Sequence, residues 1–410
     1  MRRVLATITN SPYSFGGVSA WLERITELLP AQDWRVTTVT HALDERRLAD
    51  WHGRHPGLNL KPLLGKFARF DQIEPALDAY LDREKPDVVL VNGSYWMMPL
   101  LQRRKRKDAS LRVIGVCHAD ENGYYSGLGF YRDCFDRVIG VSETCYQKLL
   151  ALGLNPDRTT YLPYGVPCPF EPPGRSGAGP LRLAYVGRLV QGQKRILDFI
   201  PLVAALYAQQ LDFRLDFYGA GIDEAALREG IAALDSEQRV HFHGWLPANQ
   251  VATIAWQNAD VFLLASAFEG LSISMLEAMA YGVVPVVSRV ESGVPQVIRE
   301  GETGYTFPIG DLETCASRIA TLAQDRTQLA AMSARAWALV RRDYALDRYV
   351  EQLAGIMDTV STRPAQMAPA RYMGPSAHPL VRLLPPLAFV LARRLAKRGN
   401  PLNEGYATYQ

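Results

Sequence analysis

Two short stretches of this chain combine residue types in a way that could do chemistry. In the run Glu269-Gly270-Leu271-Ser272-Ile273-Ser274-Met275-Leu276-Glu277-Ala278-Met279-Ala280-Tyr281-Gly282, the pattern predicts a strand ending at 265, a loop carrying Glu269 and a helix opening near Ser272. A helix start presents unpaired N–H groups and partial positive charge, which suits a phosphate. Glu277, one to two turns inside, stands where a carboxylate can bond a vicinal diol such as a ribose. Glu269, on the loop, can reach another part of the same ligand. An isolated pair of glutamates is ordinarily a surface loop residue and an exposed helix residue. Here Glu277 is flanked by Met275-Leu276 and Ala278-Met279-Ala280, and a carboxylate idle in an apolar surround would be costly.

The second stretch is Tyr185-Val186-Gly187-Arg188-Leu189-Val190-Gln191-Gly192-Gln193-Lys194-Arg195. It follows an apolar strand pattern and precedes a helical one, and Gly187 permits close backbone approach. Arg188 and Lys194 could clamp a diphosphate from both sides and neutralise a leaving group. Taken alone, the same loop also fits a solvated basic surface. Gly219-Ala220-Gly221 starts like a dinucleotide fingerprint, but position 224 is Glu, so the third glycine is missing. There is no Asp-x-Asp triplet, H-E-x-x-H or Cys/His cluster, and no metal is expected. A Gly-x-Ser-x-Gly elbow and a Walker loop are likewise missing. The five cysteines, 117, 134, 145, 168 and 315, form no C-x-x-C pair, which fits a reducing compartment.

Positioning these groups takes more than one core, because 410 residues exceed the ~250–300 that a single core supports. Apolar, β-branched runs at 4–8, 35–40, 88–91, 112–117 and 138–141 alternate with helical patterns such as 18–29 and 73–84. Strands buried on both faces between helices imply βαβ units and a parallel sheet. Residues 167–180 hold five prolines and three glycines and read as a linker. Alternation then resumes with strands at 183–186, 213–218, 240–242, 261–265 and 283–287, and helices at 196–208 and from about 272. The expected fold class is α/β, with two doubly wound Rossmann-like domains facing an interdomain cleft. The N-terminal domain is placed at 1–166, the linker at 167–180 and the C-terminal domain at 181–344. A helix at 345–362 is expected to cross back to the first domain, and 363–410 is a basic, proline-rich tail.

Together the two stretches resemble the donor site of the retaining family-four glycosyltransferases, whose fold is GT-B. The match continues through Gly-Val-Val-Pro-Val-Val at 282–287, Gly293-Val294-Pro295 and Gly301-Glu302-Thr303-Gly304, and extends to about residue 360. The resemblance implies that Glu269 binds the donor sugar hydroxyls beside backbone groups of Leu271, Ser272 and Ile273. By the same likeness Glu277 holds the ribose of the nucleotide, and Arg188 and Lys194 hold the diphosphate. Gly16-Gly17-Val18 is similar to the family's glycine loop near the phosphates and the acceptor, although a plain strand-to-helix turn reads the same way. His118 ends a strand where the family has a His near the donor sugar. The chain departs from the family in reading His118-Ala119-Asp120 and Pro163-Tyr164-Gly165-Val166-Pro167. The activity implied is metal-independent transfer of a hexosyl group, with retention, from a nucleotide diphosphate sugar to a hydroxyl. A UDP-sugar is favoured, GDP-mannose comes next, and no cofactor is needed. In the family the leaving phosphate is thought to take the acceptor's proton, and domain closure would exclude water.

Composition bounds the alternatives. Hydrophobic residues make up 48% and charged residues 21%, which excludes a mostly disordered chain. The net charge of +3 is uneven. Residues 103–107 carry five cations, and 363–410 hold seven against one Glu, so the remainder is acidic. Such local basicity speaks against nucleic acid and raises docking on an anionic membrane through 103–107 and 380–398, at ~1 kcal/mol per cation near the surface. A solvated helix face and a tail folded back on the protein explain the same charges. A short N-terminal apolar run and no apolar stretch of eighteen lead to a cytoplasmic expectation, peripheral to the membrane's inner face, with a sugar or lipid-linked sugar acceptor in polysaccharide or glycolipid synthesis. The competing functions are an epimerase or phosphorylase on the same scaffold, and a non-catalytic nucleotide-sugar-binding protein. A nicotinamide-dependent dehydrogenase ranks last.

Overall fold

A computed structural model describes residues 1–7, 16–43, 45–65, 70–108, 110–171, 174, 177 and 179–362. The stretch 380–398 lies outside the described residues. The described residues divide into two compact units, one drawn from 1–141, 145–162 and 350–362, the other from 142–144 and 163–349.

The first unit is built on seven strands: β1 (Arg2–Thr7), β2 (Trp34–Ala42), β3 (Leu60–Leu64), β4 (Val88–Val91), β5 (Arg112–Cys117), β6 (Arg137–Gly140) and β7 (Thr159–Tyr161). All pairings are parallel, in the order β3-β2-β1-β4-β5-β6-β7. The central strands β4 and β5 are buried along their whole length, as helices on both faces require. Leu77, Leu101, Leu128, Tyr131 and Phe135 pack the core against β4, β5 and β6. The edges are different. β3 carries Pro62, tolerated because an edge strand need not donate every N–H, and β7 has only its first residue buried. The helix Leu346–Thr362 adds its later residues to this unit. Trp34 Nε1 donates to Asp358 Oδ1 at 2.8 Å and Arg112 Nε to the Val360 carbonyl at 3.0 Å.

The second unit has six strands: β8 (Leu181–Val186), β9 (Phe213–Tyr218), β10 (Val240–Gly244), β11 (Val261–Leu264), β12 (Val284–Ser288) and β13 (Tyr305–Phe307). They are again all parallel, ordered β10-β9-β8-β11-β12-β13. Tyr185, Phe199 and Phe217 meet edge to face or tilted in its core, and Phe217 stacks on Phe242 at 4.9 Å. The proline-rich segment after Val166 also packs with this unit. The Pro169 carbonyl accepts from Trp337 Nε1 (3.2 Å) and Arg341 Nη1 (3.0 Å).

In each unit the strand order reverses once, between β1 and β4 in the first and between β8 and β11 in the second. Chain leaving neighbouring strands at such a reversal diverges in opposite directions and opens a crevice at the carboxyl ends.

The basic run 103–107 ends the helix Met98–Lys107, and three of its five cations pair with carboxylates of the protein. Arg103 pairs with Glu74, and Arg104 with Asp78 and Asp82. Lys105 is fully buried, donating to Asp136 Oδ2 at 2.6 Å and to the Cys134 carbonyl at 2.8 Å. Arg106 and Lys107, at the end of the run, are exposed. No helix among the described residues is long and apolar enough to cross a membrane.

Candidate functional site

The two stretches singled out above leave adjacent strands at the reversal of the second sheet, since β8 pairs with β11. Gly187 and Arg188 follow β8, and the loop from Ala265 to Ser272 follows β11. The loops are stitched together. The Ala267 N–H donates to the Gln193 carbonyl at 2.8 Å, and Gln193 Nε2 donates to the Phe268 carbonyl at 3.2 Å. The Gln193 amide oxygen in turn accepts from Arg188 Nη2.

Lys194 Nζ lies 2.5 Å from Glu269 Oε1, their side chains 12% and 8% exposed. The same carboxylate oxygen accepts from Ser266 Oγ at 2.6 Å. A pair this sheltered holds both charges in place, because each would be costly to bury alone. Below Arg188, the buried Tyr185 donates its hydroxyl to the Arg188 carbonyl at 2.6 Å. Burial pushes the Tyr185 phenol far up, so it stays a donor. Gly219 and Gly221 make the approach possible. A Cβ on Gly219 would stand 1.8 Å from the Gly187 carbonyl oxygen, and one on Gly221 2.0 Å from that of Leu189. These glycines are spacers under the Arg188 loop rather than a dinucleotide fingerprint.

The helix Ile273–Ala280 begins in this cluster, capped by Ser272, whose Oγ accepts from the Met275 N–H at 3.3 Å. Leu271, Ser272 and Ile273 are all buried, and Ser292 Oγ supports the turn from behind by donating to the Gly270 carbonyl at 2.8 Å. Glu277 needs a correction. Its sequence neighbours are buried, but Glu277 itself is half-buried, on one face with the equally half-buried Ser274. Residues three apart share a helix face, so the apolar residues beside Glu277 in sequence lie on the other faces of the helix. Glu277 also faces Tyr281, whose phenol burial raises and Glu277 raises further.

The remaining candidates lie in the first unit. Gly16 caps the helix Gly17–Leu28 in extended conformation, and its N–H donates to Ser19 Oγ at 3.0 Å. His118 follows β5 and is buried, edge-on to Trp21 of that helix at 4.9 Å and to Tyr124 at 6.0 Å. Its Nε2 is 2.9 Å from Asn92 Oδ1. Burial depresses its pKa to about 3, so the ring is neutral at physiological pH. Arg188, Gln193, Lys194, Ser266, Glu269 and the capped helix are thus gathered in one unit, and Gly16, Gly17 and His118 in the other.

Sequence reading missed Gln193, Ser266 and Asn92. Ser266 and Asn92 each follow a strand end, the signal already used for Arg188. Gln193 had none beyond lying between two cations. Among the described residues no group of three or more His, Cys, Asp or Glu is arranged to hold a metal.

Comparison with known proteins accounts for both units. Residues 15–168 match the model of "Glycosyltransferase Family 4" and 180–325 that of "Glycosyl transferases group 1". The chain is 30% identical over 276 residues to a putative colanic acid biosynthesis glycosyltransferase, WcaL, of Escherichia coli K12, covering 62% of this chain and 67% of that one. It is also 30% identical over 182 residues to the lipopolysaccharide 1,6-galactosyltransferase of Salmonella typhimurium, covering 43% and 50%. Among solved structures, Anabaena HepE in complex with UDP superposes with a TM-score of 0.70 at 16% identity, over 88% of this chain and all of that one. The sucrose-phosphate synthase of Thermosynechococcus elongatus gives 0.72 at 17% identity, over 88% and 99%. These likenesses establish the two-sheet GT-B architecture.

Proposed function

The chain belongs to glycosyltransferase family 4, and from that premise we propose that it moves a hexosyl group from a nucleotide diphosphate sugar to a hydroxyl, with retention and without a metal. A UDP-sugar is the favoured donor, since HepE, which shares the fold, has been crystallised with UDP and with UDP-glucose. Polysaccharide or lipopolysaccharide assembly on the cytoplasmic side is the favoured setting, because relatives carry colanic acid and lipopolysaccharide names.

The observation that carries this reading is the meeting of Arg188, Lys194 and Glu269 at one sheet reversal, beside a helix start. As the glycosidic bond lengthens, negative charge grows on the departing diphosphate and positive charge on the sugar. Arg188, Lys194 and the first amides of Ile273–Ala280 answer the first charge. They are already aimed, so little reorganisation is needed, and one such donor can be worth ~2.7–4 kcal/mol. Glu269, held by Lys194 and Ser266, binds sugar hydroxyls, and Glu277 binds the ribose. His118 faces the sugar. No side chain acts as nucleophile, and the leaving phosphate takes the acceptor's proton.

The test is a thermal-shift screen with UDP-, GDP- and ADP-sugars, followed by UDP or GDP release with and without a bacterial glycan extract, in EDTA. Acceptor-dependent release of nucleotide with an α-linked product from an α-linked donor is expected. Isomerised donor without an acceptor would indicate an epimerase. No shift with any donor refutes the reading.

A further inference from the structure

The polar contact at His118 Nε2 places a proton on that nitrogen. Thr7 ends β1 and Asn92 follows β4, the two strands at the reversal of the first sheet. Thr7 Oγ1 donates to the Leu90 carbonyl (3.3 Å) and so accepts from the Asn92 N–H (3.1 Å). The Thr7 carbonyl, which can only accept, takes the Asn92 side-chain Nδ2–H at 3.0 Å. The amide is therefore oriented, and its Oδ1 is the atom 2.9 Å from His118 Nε2. An amide oxygen only accepts, so Nε2 must carry the proton.

We propose that Asn92 is a positioning residue whose fixed amide holds the buried His118 imidazole with its proton on Nε2, so that the ring itself adds no positive charge beside the sugar while positive charge grows on the anomeric carbon. This rests on the reading of His118 as a sugar-facing group. The surroundings of the ring agree with it. Trp21 and Tyr124 pack against the ring without offering charge. Cys117 is a buried thiol held un-ionised, and Asp120 is turned to Lys148 (2.8 Å) and Tyr125 (2.6 Å). Burial is the cause of the low His118 pKa, and Asn92 lets the buried ring stay neutral with its N–H satisfied. An aspartate at the same place would instead invite a second proton.

The experiment uses the full chain. Long-range ¹H–¹⁵N spectra of the wild type are expected to show His118 as the Nε2–H tautomer, with no titration between about pH 5 and 8. A Nδ1–H tautomer, or titration near the ordinary value, overturns the proposal without any variant. In Asn92→Asp, a carboxylate facing Nε2 should raise the His118 pKa by ~1–3. The kcat for UDP release from UDP-glucose should gain an acidic limb, falling about tenfold per pH unit below that pKa, with little change in KM. A kcat profile superposing on the wild type, in a variant with native thermal unfolding, overturns the proposal. His118→Asn separates the two readings. Unchanged turnover there, beside the expected wild-type spectra, overturns the sugar-facing role and leaves the control of the ring by Asn92 standing.

Discussion

Replacing Lys194 by Ala should damage the protein twice, and a second substitution should repair one kind of damage only. The variant leaves Glu269, 8% exposed, with the Ser266 hydroxyl in place of an ammonium at 2.5 Å. Removing one member of a sheltered ion pair strands the other and costs about 3–5 kcal/mol. For a unit of this size, each kcal/mol moves the midpoint by ~2–4 °C, so the unfolding transition of the second unit should drop by roughly 6–20 °C. Glu269→Gln alone strands the lysine and should cost a comparable amount. Lys194→Met with Glu269→Gln removes both charges at similar volume and should regain most of the loss. Turnover should not return, because the cation facing the diphosphate is gone, and a deficit of about 10²–10³ in kcat is expected to persist. Calorimetry of the three variants beside nucleotide-release kinetics reads both quantities. Losses below ~1 kcal/mol in both single variants, the range of an exposed pair, would refute the sheltered-pair argument. Recovery of kcat in the double variant would refute the role of Lys194 at the diphosphate.

Glu277→Ala should weaken UDP binding by roughly 10- to 150-fold, the worth of a hydrogen bond to a charged group, with little change in thermal midpoint since the residue is half-buried; titration calorimetry measures it. Lys105→Ala, which strands Asp136 in the first unit, should cost about 3–5 kcal/mol, whereas the exposed Lys107→Ala should stay within about 0.5 kcal/mol in the same thermal scan. His118 is neutral when folded down to about pH 3, while the unfolded imidazole gains its proton near ~6.5. The unfolded state therefore binds more protons in that window, and the first unit should lose stability as pH falls through it, by up to ~1.4 kcal/mol per pH unit. His118→Asn should flatten that slope in urea titrations at stepped pH.

How far the fold could be read from sequence followed burial. The strands that were anticipated, such as β4, β5, β11 and β12, are buried at every residue, so their apolar runs are continuous. The three that were missed, β3, β7 and β13, all lie at sheet edges. They are short or half-exposed, and β3 contains a proline; an edge strand faces solvent on one side and needs no continuous apolar run. Within the stretch read as a linker, the Pro169 and Phe170 carbonyls accept from Trp337 and Arg341 of the helix Arg326–Asp343, contacts that composition does not reveal.

The candidate site divides the same way. The types and order of Arg188, Lys194, Glu269 and Glu277 are properties of the sequence, and strand-loop-helix patterning already put each near a strand's carboxyl end. Which charges meet was decided by the tertiary structure. Lys194 and Glu269 are 75 residues apart and touch because β8 and β11 are neighbours at the reversal of strand order. The same applies to the five consecutive cations at 103–107. Written in a line they look like one basic patch, but winding them into a helix turns Lys105 into the core and Arg103 and Arg104 onto acidic partners. Sequence sets what each group can do, and packing of segments far apart in the chain sets which partner it meets and whether water reaches it.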